Sequence, residues 1–525
     1  MTDTASLPLT PDVLIIGAGA AGSALAHALA PTGRQIVLLS REGFLPREAE
    51  NWSPALVYGG GRYLADETWT DAARGERFPV NMYYQAGGNT KTYGAAMLRL
   101  RPRDFEEVAF PEGVSPAWPI DYEELAPYYD RAEVAYHVHG RAGADPFEPP
   151  RAGPFPHPPL AHDGRIGAVA EGLRAGGVRA FELPMGLRLN HEDEDDGPFV
   201  LRELFRAQGT ETFDGYPDLT HLKADAETAS LRPALRYPNV RLVAGARATR
   251  LVPSAAGTAV EAVEAEVGGA QVRFRAGTVV LAAGAINSAA LLLASATDAY
   301  PEGLANTSGR VGRHLMRHTT SKFYTADFAH VNDTFFQKTL AVNDYYWGDP
   351  KAGPLARVPL GHIHLMGKHT AEMIARDVPD LSPDDARRLA PHSVDWWAQT
   401  EDLPLEDNRV TLGPDGGIRL HYTPTNLGPH AQLMDKLEAA LRPLGFTEFF
   451  RVPMPLRVVN HQCGTLRMGT RPETSVVSPE GRAHDLANLF VADASVFPSS
   501  AATNPTLTIV AWAYRLADHL AAEGV

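Results

Sequence analysis

The first forty residues alternate short apolar runs with glycine in a way that predicts a βαβ unit. Residues 12–16 have the pattern of a buried strand, and a glycine-rich turn over residues 17–22 follows directly. Small residues then continue to about Ala30, which predicts a helix, and the apolar run 35–39 predicts a second strand. A strand, a glycine turn, a helix and a strand form the unit from which doubly wound parallel sheets are built.

Similar patterns recur further along the chain. Apolar and β-branched residues predict strands over 240–252, 260–267, 271–283 and 488–492. Residues 285–294 and 505–522 are predicted to form helices. Three prolines near the end of 141–161 favour an extended linker in that segment over a long regular element.

Composition narrows the class of protein. Of the 525 residues, 44% are hydrophobic and 21% are charged, which excludes disordered and fibrous classes. The net charge of −15, without any run of Lys or Arg, argues against nucleic-acid binding. Cys463 is the one cysteine, so an intramolecular disulfide, a cysteine-based zinc site and a cysteine-ligated iron–sulfur cluster are excluded, and we expect no metal site.

The sequence also predicts a cytoplasmic protein without a membrane span. Residues 13–30 are apolar but are interrupted by three glycines and His27, and no other run reaches the roughly 20 residues that a spanning helix needs. Residues 1–11 lack the basic stretch of a secretory signal. Residues 191–196 include five carboxylates, but without the ligand spacing of a calcium loop they favour a solvated loop. The oligomeric state is left open.

The glycine turn predicts a dinucleotide site. In Gly17-x-Gly19-x-x-Gly22, the first glycine allows the tight turn, the second lets the backbone approach a pyrophosphate, and the third lets the helix pack on the strand. The acid that usually ends the second strand and binds the ribose is replaced by Ser40. Two alternatives stay open: Ser40 makes one weaker hydrogen bond or Glu42 reaches back. Arg41 is also a candidate for a 2′-phosphate.

Two C-terminal segments have the residues of a catalytic site. The predicted strand 488–492 ends in Asp493, which is placed to accept a hydrogen bond from a cofactor hydroxyl. Asn504 and Pro505 have the types favoured at the N-cap and first position of the last helix, whose N-terminus stabilises an anion. His461 precedes a glycine-rich turn, and a neutral histidine is a suitable base for an alcohol proton. Cys463 is interpreted as a small buried residue.

These segments resemble the glucose–methanol–choline (GMC) family of flavin-dependent alcohol oxidoreductases. Four blocks carry the resemblance: the N-terminal glycines; Gly87-Gly88-Asn89-Thr90 running to Arg103-Asp104-Phe105; Val280-Leu-Ala-Ala-Gly284-Ala-Ile-Asn-Ser288; and the His461 and Asn504 segments. The resemblance implies an α/β Rossmann-like FAD-binding domain from residues 8–135, 236–318 and 458–525. It also implies an α+β substrate domain with an antiparallel sheet over 319–457, and a linker and substrate-domain insertion over 136–235.

The resemblance also implies residue roles. His461 would deprotonate an alcohol while hydride passes to flavin N5, Asn504 would orient the hydroxyl, and the backbone at Thr506 would face flavin O2. The implied cofactor-binding residues are Gly17, Gly19, Gly22, Ser40, Arg41, Gly88, Asn89, Thr90, Ala248, Ala283, Gly284, Asp493, Ala494, Pro505 and Thr506. Thr92 and Tyr93 stand near the place where some relatives attach FAD to a histidine, so the FAD is predicted to be non-covalent.

The His461 block looks most like the pyranose oxidase and gluconate dehydrogenase branch, which implies oxidation of a secondary sugar or glycoside hydroxyl to a ketone. Dioxygen or a quinone-type acceptor would reoxidise the flavin. Trp396, Trp397 and Gln399 are candidates for stacking on the substrate ring, although both tryptophans suit a core equally well. The alternatives are a sterol, choline-like or aryl alcohol as substrate, or a flavin subunit of a membrane-linked dehydrogenase complex.

Overall fold

A five-stranded parallel sheet forms one half of the protein. The computed structural model describes residues 7–189, 213–353 and 357–524. Across the sheet, the strands run in the order Val240–Ala244, Ile36–Ser40, Val13–Ile16, Thr278–Leu281 and Leu489–Val491. Helix Ala20–Leu29 joins the second and third of these, so the predicted βαβ unit is confirmed. The three central strands are buried along their length, as their continuous aliphatic sequence requires.

Two of the predicted strands each correspond to two separate strands in the structure. The prediction over 240–252 divides at Gly245, whose φ of 70° turns the chain out of the parallel sheet, and the prediction over 271–283 divides after Phe274. The segments released in this way form an antiparallel sheet of Ala246–Pro253, Val260–Val267 and Ala270–Phe274. Apolar content therefore identified these strands, but the hydrophobic pattern did not show where the chain changes sheets.

A six-stranded antiparallel sheet forms the other half, and we call it the second sheet. Its strands run in the order Glu448–Pro453, Thr319–Ala326, Ser393–Thr400, His362–Leu365, Leu340–Val342 and Phe181–Glu182. Helix Leu427–Leu441 packs on one face, where its apolar residues meet Phe323 and Trp396 in a separate hydrophobic core. The opposite face is turned toward the carboxyl ends of the parallel strands and lines the cavity described below.

Smaller elements complete the described part of the chain. A four-stranded sheet has the order Arg409–Leu412, Ile418–His421, Thr68–Asp71 and Glu76–Pro79, and two hairpin-like pairs join Val108–Phe110 to Gly113–Ser115 and Val138–His139 to Met185–Gly186. The remaining α-helices are Tyr122–Ala135, Gly164–Ala175, Arg232–Leu235, Ala285–Ala294, Ala371–Asp377, Pro383–Leu389 and Thr506–Ala522. Residues 140–163, which are all described, contain neither helix nor strand, as predicted for the linker.

Residues 191–196, the acidic run, lie outside the described residues. Over the ranges that the structure does describe, none of the helices combines the length and apolar character needed to cross a bilayer.

Candidate active site

A cavity of about 520 Å³ lies between the two large sheets. One wall is formed where the parallel strands end, at the glycine turn, at Ser40 and at Gly284. The facing wall is formed by side chains of the second sheet and its loops, including Lys322 and Trp397. Ligands of open parallel α/β sheets bind at the carboxyl ends of the strands, so the cavity is where the fold places a ligand.

The glycine turn has one open position between two closely packed ones. A Cβ on Gly17, whose φ is 115°, would lie 2.3 Å from the carbonyl oxygen of Ala282, and a Cβ on Gly22 would lie 1.9 Å from the carbonyl oxygen of Gly17. A Cβ on Gly19 would meet no atom within 4 Å among the described residues. Gly17 and Gly22 are therefore required by packing, whereas Gly19 leaves free space beside the N-terminus of helix Ala20–Leu29.

At the end of the second strand, Arg41 takes a fixed position. Its guanidinium lies 3.0 Å from Glu67 Oε2 and from Asn287 Oδ1, and it stacks 4.1 Å from the ring centre of Tyr84. Both Ser40 and Arg41 line the cavity. Glu42 instead turns to Gln85, whose Nε2 donates to its carboxylate at 2.5 Å, so the alternative in which Glu42 reaches back is wrong.

The remaining predicted cofactor residues gather along the same wall. The cavity is lined by Gly88, Asn89, Thr90, Ala248, Ala283, Gly284, Asp493, Ala494, Pro505 and Thr506. A Cβ on Gly88 would lie 3.3 Å from Gly19 Cα, so these two glycines face each other across a narrow part of the cavity. Gly22 lies behind this wall, in contact with Ile15 and Gly17.

Asp493 lines the cavity and accepts hydrogen bonds from three residues of its wall. Its Oδ2 accepts from Ser288 Oγ at 2.6 Å and from the Gly284 N–H at 2.9 Å, while its Oδ1 accepts from the Ser495 N–H and Oγ. A carboxylate has about four acceptor positions, and donors of the protein take all four. The side chain therefore clamps two turns of the cavity wall together, and its expected bond to a cofactor hydroxyl stays a prediction.

The last helix begins one residue later than expected. It spans Thr506–Ala522, with Pro505 at the N-cap in helical geometry and no side chain capping it, so the assignment of Asn504 as N-cap is wrong. Asn504 instead lines the cavity, and its buried Oδ1 has no hydrogen-bond partner among the described residues. An unpaired buried amide oxygen costs free energy, which indicates that a ligand donor completes this site.

His461 lines the cavity beside Trp397. The ring of Trp397 approaches it edge-on at 6.2 Å, and its Nδ1 lies 2.9 Å from Nδ1 of His318. Burial, with His318 beside it, holds the pKa of His461 well below its ordinary value. The imidazole is therefore neutral near pH 7, as a general base must be.

The tryptophan pair divides between cavity and core. Side chains alternate along a strand, so Trp397 lines the cavity while Trp396 is fully buried in the core of the second sheet, with Nε1 donating to Thr325 Oγ1. The assignment of Trp396 to the substrate is therefore wrong. Gln399 is buried behind the cavity wall: its Oε1 accepts from Trp397 Nε1 and its Nε2 donates to the Ala502 carbonyl. It supports Trp397 instead of facing the cavity.

Sequence reasoning missed several polar side chains of the second wall. Lys338 Nζ bonds to Asp214 at 2.7 Å, and Lys322 Nζ bonds to Asp377 Oδ2 at 2.6 Å. All four of these residues line the cavity, and burial lowers the pKa of both lysines. The members of each pair stand far apart in the sequence and lie in no motif, so no local signal marks them.

The residues of the first wall fit FAD. The space at Gly19 and the N-terminus of helix Ala20–Leu29, which has no side-chain cap, suit a pyrophosphate because its oxygens accept from free backbone N–H groups. The second uncapped N-terminus, at Thr506, faces the same cavity and is suited to negative charge on an isoalloxazine ring. The two ends of a bound FAD would thus meet complementary groups of the chain.

Comparisons with known proteins agree with this geometry. Residues 202–320 and 447–513 match family models described as GMC oxidoreductase, and residues 12–142 match one described as FAD dependent oxidoreductase.

Among curated proteins, the chain is 32% identical to a paromamine 6'-oxidase of Streptomyces fradiae, over 98% of this chain and 91% of the relative. It is 31% identical to a 6'''-hydroxyparomomycin C oxidase of Streptomyces lividus, over 98% and 92%. The solved structure of pyridoxine 4-oxidase from Mesorbium loti aligns with a TM-score of 0.65 at 20% identity, over 97% of this chain and 99% of that one.

The full-length similarity, the matched models and the cavity agree, and the resemblance seen in the sequence is confirmed. The protein belongs to the GMC oxidoreductase family and is an FAD-dependent enzyme that oxidises CH–OH groups.

Proposed function

We propose that this enzyme oxidises a hydroxyl group of a sugar or glycoside to a carbonyl group, with His461 as the general base. The observation that carries the proposal is that the neutral imidazole of His461 and the unpaired amide oxygen of Asn504 line the same cavity. The first wall of that cavity fits FAD. A base and a hydrogen-bonding group beside a hydride acceptor are the parts that alcohol oxidation needs.

Each group has a stated task in this proposal. A ring nitrogen of His461 accepts the hydroxyl proton, and the Asn504 amide fixes the direction of the hydroxyl so that its carbon faces the first wall. Bound FAD supplies the acceptor for the hydride. Trp397 lies against the imidazole and excludes water from it, which strengthens the hydrogen bonds of the reacting oxygen.

The polarity of the second wall supports a sugar. Lys322, Lys338, Asp214 and Asp377 line the cavity, and Tyr58 OH bonds to Asp377 at 2.6 Å. A sterol would remove water from these groups without replacing its hydrogen bonds, whereas a polyhydroxylated ring pairs with them. Relatives named for paromamine and hydroxyparomomycin C point to sugar-containing substrates as well. Their designation as oxidases favours dioxygen as electron acceptor.

Two finer assignments belong to this proposal. Thr92 and Tyr93 line the cavity near the double glycine, where an attaching histidine would be needed, which supports non-covalent FAD. We also assign residues 8–135, 236–318 and 458–525 to the FAD-binding domain and 319–457 to the substrate domain, with 136–235 as linker and insertion.

The test is the visible spectrum of the FAD-loaded protein without oxygen, before and after addition of free sugars, aryl glycosides, choline, a sterol and simple alcohols. Bleaching of the flavin by a sugar or glycoside is expected, and readmitted air should restore the colour. Bleaching by choline or the sterol alone would overturn the substrate class. Colour restored by a quinone but not by air would overturn dioxygen as acceptor.

His461→Ala should slow flavin reduction by roughly 10²–10⁴-fold, the usual worth of a general base, while FAD stays bound. Stopped-flow absorbance with the best substrate measures this rate, and the flavin spectrum after gel filtration measures retention. The control is His484→Ala, which removes a half-buried histidine that bonds to Ser475. Reduction of His461→Ala at the parent rate would remove His461 from the mechanism.

A further inference from the structure

A second histidine stands directly behind the proposed base. Nδ1 of His318 lies 2.9 Å from Nδ1 of His461, and the two rings meet edge to face at 88° with centres 5.1 Å apart. His318 is 1% exposed, so its Nδ1 is shielded from water. Two facing imidazole nitrogens form a hydrogen bond only when one bears the proton and the other does not.

Backbone hydrogen bonds bring the segments of His318 and His461 together. Met316 and Cys463 form an antiparallel bridge with both bonds made, N–H of Met316 to Cys463 O at 3.0 Å and N–H of Cys463 to Met316 O at 2.9 Å. In an antiparallel register, the residue two positions after Met316 lies opposite the residue two positions before Cys463. These residues are His318 and His461, so the bridge brings the two histidines to the same place, although the ladder itself ends before them because His318 has φ 63°.

The other nitrogen of His318 determines the direction of the bond. Its Nε2 lies 3.0 Å from the carbonyl oxygen of Ser500, which can only accept, so Nε2 carries the proton. Burial lowers the pKa of His318 to about 4, which keeps the ring neutral and leaves its Nδ1 without a proton. That Nδ1 must then accept from the Nδ1–H of His461.

From this chain of bonds we propose that His318 is a positioning residue that holds His461 in the tautomer with its proton on Nδ1 and a free lone pair on Nε2. The inference rests on the proposed role of His461 as base. With Nδ1 engaged behind it, Nε2 is the nitrogen left to take the substrate proton. Once Nε2 is protonated, the Nδ1–H···Nδ1 bond becomes charge-assisted and stabilises the imidazolium.

The hydrogen bond between His318 and Ser500 connects His461, through His318, to the segment that contains Asn504. Ser500 accepts from His318 through its carbonyl, and its Oγ accepts from the Asp402 N–H at 3.1 Å. The titratable groups that act on His461 from the surrounding elements are His318, His364 and Lys338. Burial lowers the pKa of His364 to about 3, so Lys338, which is paired with Asp214, is the one charged group among these three.

The test compares two substitutions of His318 in the FAD-loaded enzyme. His318 has φ 63°, and asparagine accepts this left-handed conformation while placing an acceptor oxygen near the former Nδ1. His318→Asn should therefore reduce flavin within about threefold of the parent. His318→Leu, which offers no acceptor, should lower the reduction rate roughly 10- to 100-fold and shift its pH profile, with KM little changed.

The control for backbone strain is His314→Leu. His314 is also buried, has φ 65°, and bonds through Nδ1 to the Pro404 carbonyl. It should keep the parent rate and pH profile. Equal losses in His318→Asn and His318→Leu would reduce His318 to a packing role and overturn the proposal, as would parent behaviour in His318→Leu.

A measurement that needs no turnover completes the test. In ¹⁵N spectra of the oxidised enzyme, with the signal assigned by its loss in His461→Ala, His461 should show a protonated Nδ1 and an unprotonated Nε2. The opposite tautomer would overturn the proposal. Unchanged flavin reduction in His461→Ala would instead refute the base itself, so the two failures are distinguishable.

Discussion

The two walls of the cavity are built by different means. The wall at the parallel sheet consists largely of backbone: the turn at Gly19, the turn at Gly284 and two uncapped helix N-termini. The wall at the second sheet consists of side chains that carry polar atoms, such as Lys322 and His461. A backbone wall is damaged by the addition of almost any side chain, whereas a side-chain wall is damaged by the loss of a particular one.

The largest effect should come from closing the backbone wall. Gly19→Leu adds a side chain at φ −84°, where no strain arises, and directs it into the open part of the cavity. The apoprotein should fold normally, but FAD affinity should fall by more than about 100-fold, since the pyrophosphate space is filled. Titration of apoprotein with FAD, followed by flavin fluorescence, measures this.

Gly428→Leu provides the matched control. Gly428 is exposed in the first turn of helix Leu427–Leu441, and its added Cβ would meet no atom within 4 Å among the described residues. It should bind FAD as the parent does. If Gly19→Leu also binds FAD normally, the cofactor does not use the glycine turn.

A smaller effect is expected from replacing the two tryptophans that lie on opposite faces of the strand Ser393–Thr400. Trp396→Leu removes a fully buried ring and should lower the free energy of unfolding by about 2–3 kcal/mol, with KM unchanged. Trp397→Leu should raise KM severalfold and lower stability by less than about 1 kcal/mol, since its ring faces the cavity. Urea unfolding and steady-state kinetics test the pair, and the reverse result would exchange their roles.

The smallest effect concerns the buried carboxyl group of Glu401, which directly follows the strand Ser393–Thr400 of the second sheet. Burial raises the pKa of Glu401, which accepts from Ser115 Oγ, to about 8. The folded state therefore keeps a proton that the unfolded state loses above about pH 4.5, so stability falls as pH rises from there through 8. Glu401→Gln removes this fall and should be more stable than the parent at pH 9 by on the order of 1–3 kcal/mol.

Urea unfolding at pH 5 and pH 9 measures the difference, with the exposed Glu302→Gln as control. Parallel pH dependence of Glu401→Gln and the parent would show that Glu401 is charged in the folded protein.

The sequence predicted the backbone wall of the cavity better than the side-chain wall. The residues of the glycine turn are contiguous, so their spacing predicted a dinucleotide site, and the block around Gly284 was recognised through the family resemblance. The structure brings both segments to the cavity. Asn504 was identified, but its task as an N-cap was wrong, because the cap position is taken by Pro505 and the amide faces the cavity. Local propensity cannot distinguish a capping amide from one that is held for a ligand.

Apart from His461 and Trp397, the side chains of the second wall could not be predicted, because their contacts join distant segments. His318 meets His461 across a bridge between segments that have no common motif, and Asp214 meets Lys338 in the same way. For the adjacent tryptophans, strand alternation required that they face opposite ways, but only the packing of helix Leu427–Leu441 decides which one is buried.

The order of strands in the parallel sheet has a consequence for biosynthesis. Val13–Ile16 is made early, yet it pairs with Thr278–Leu281, and that strand pairs in turn with Leu489–Val491. Pairings so distant in sequence form slowly, since the entropy of closing long loops opposes them. A chain growing on the ribosome therefore carries its glycine turn long before the strands that complete the sheet around it have been made.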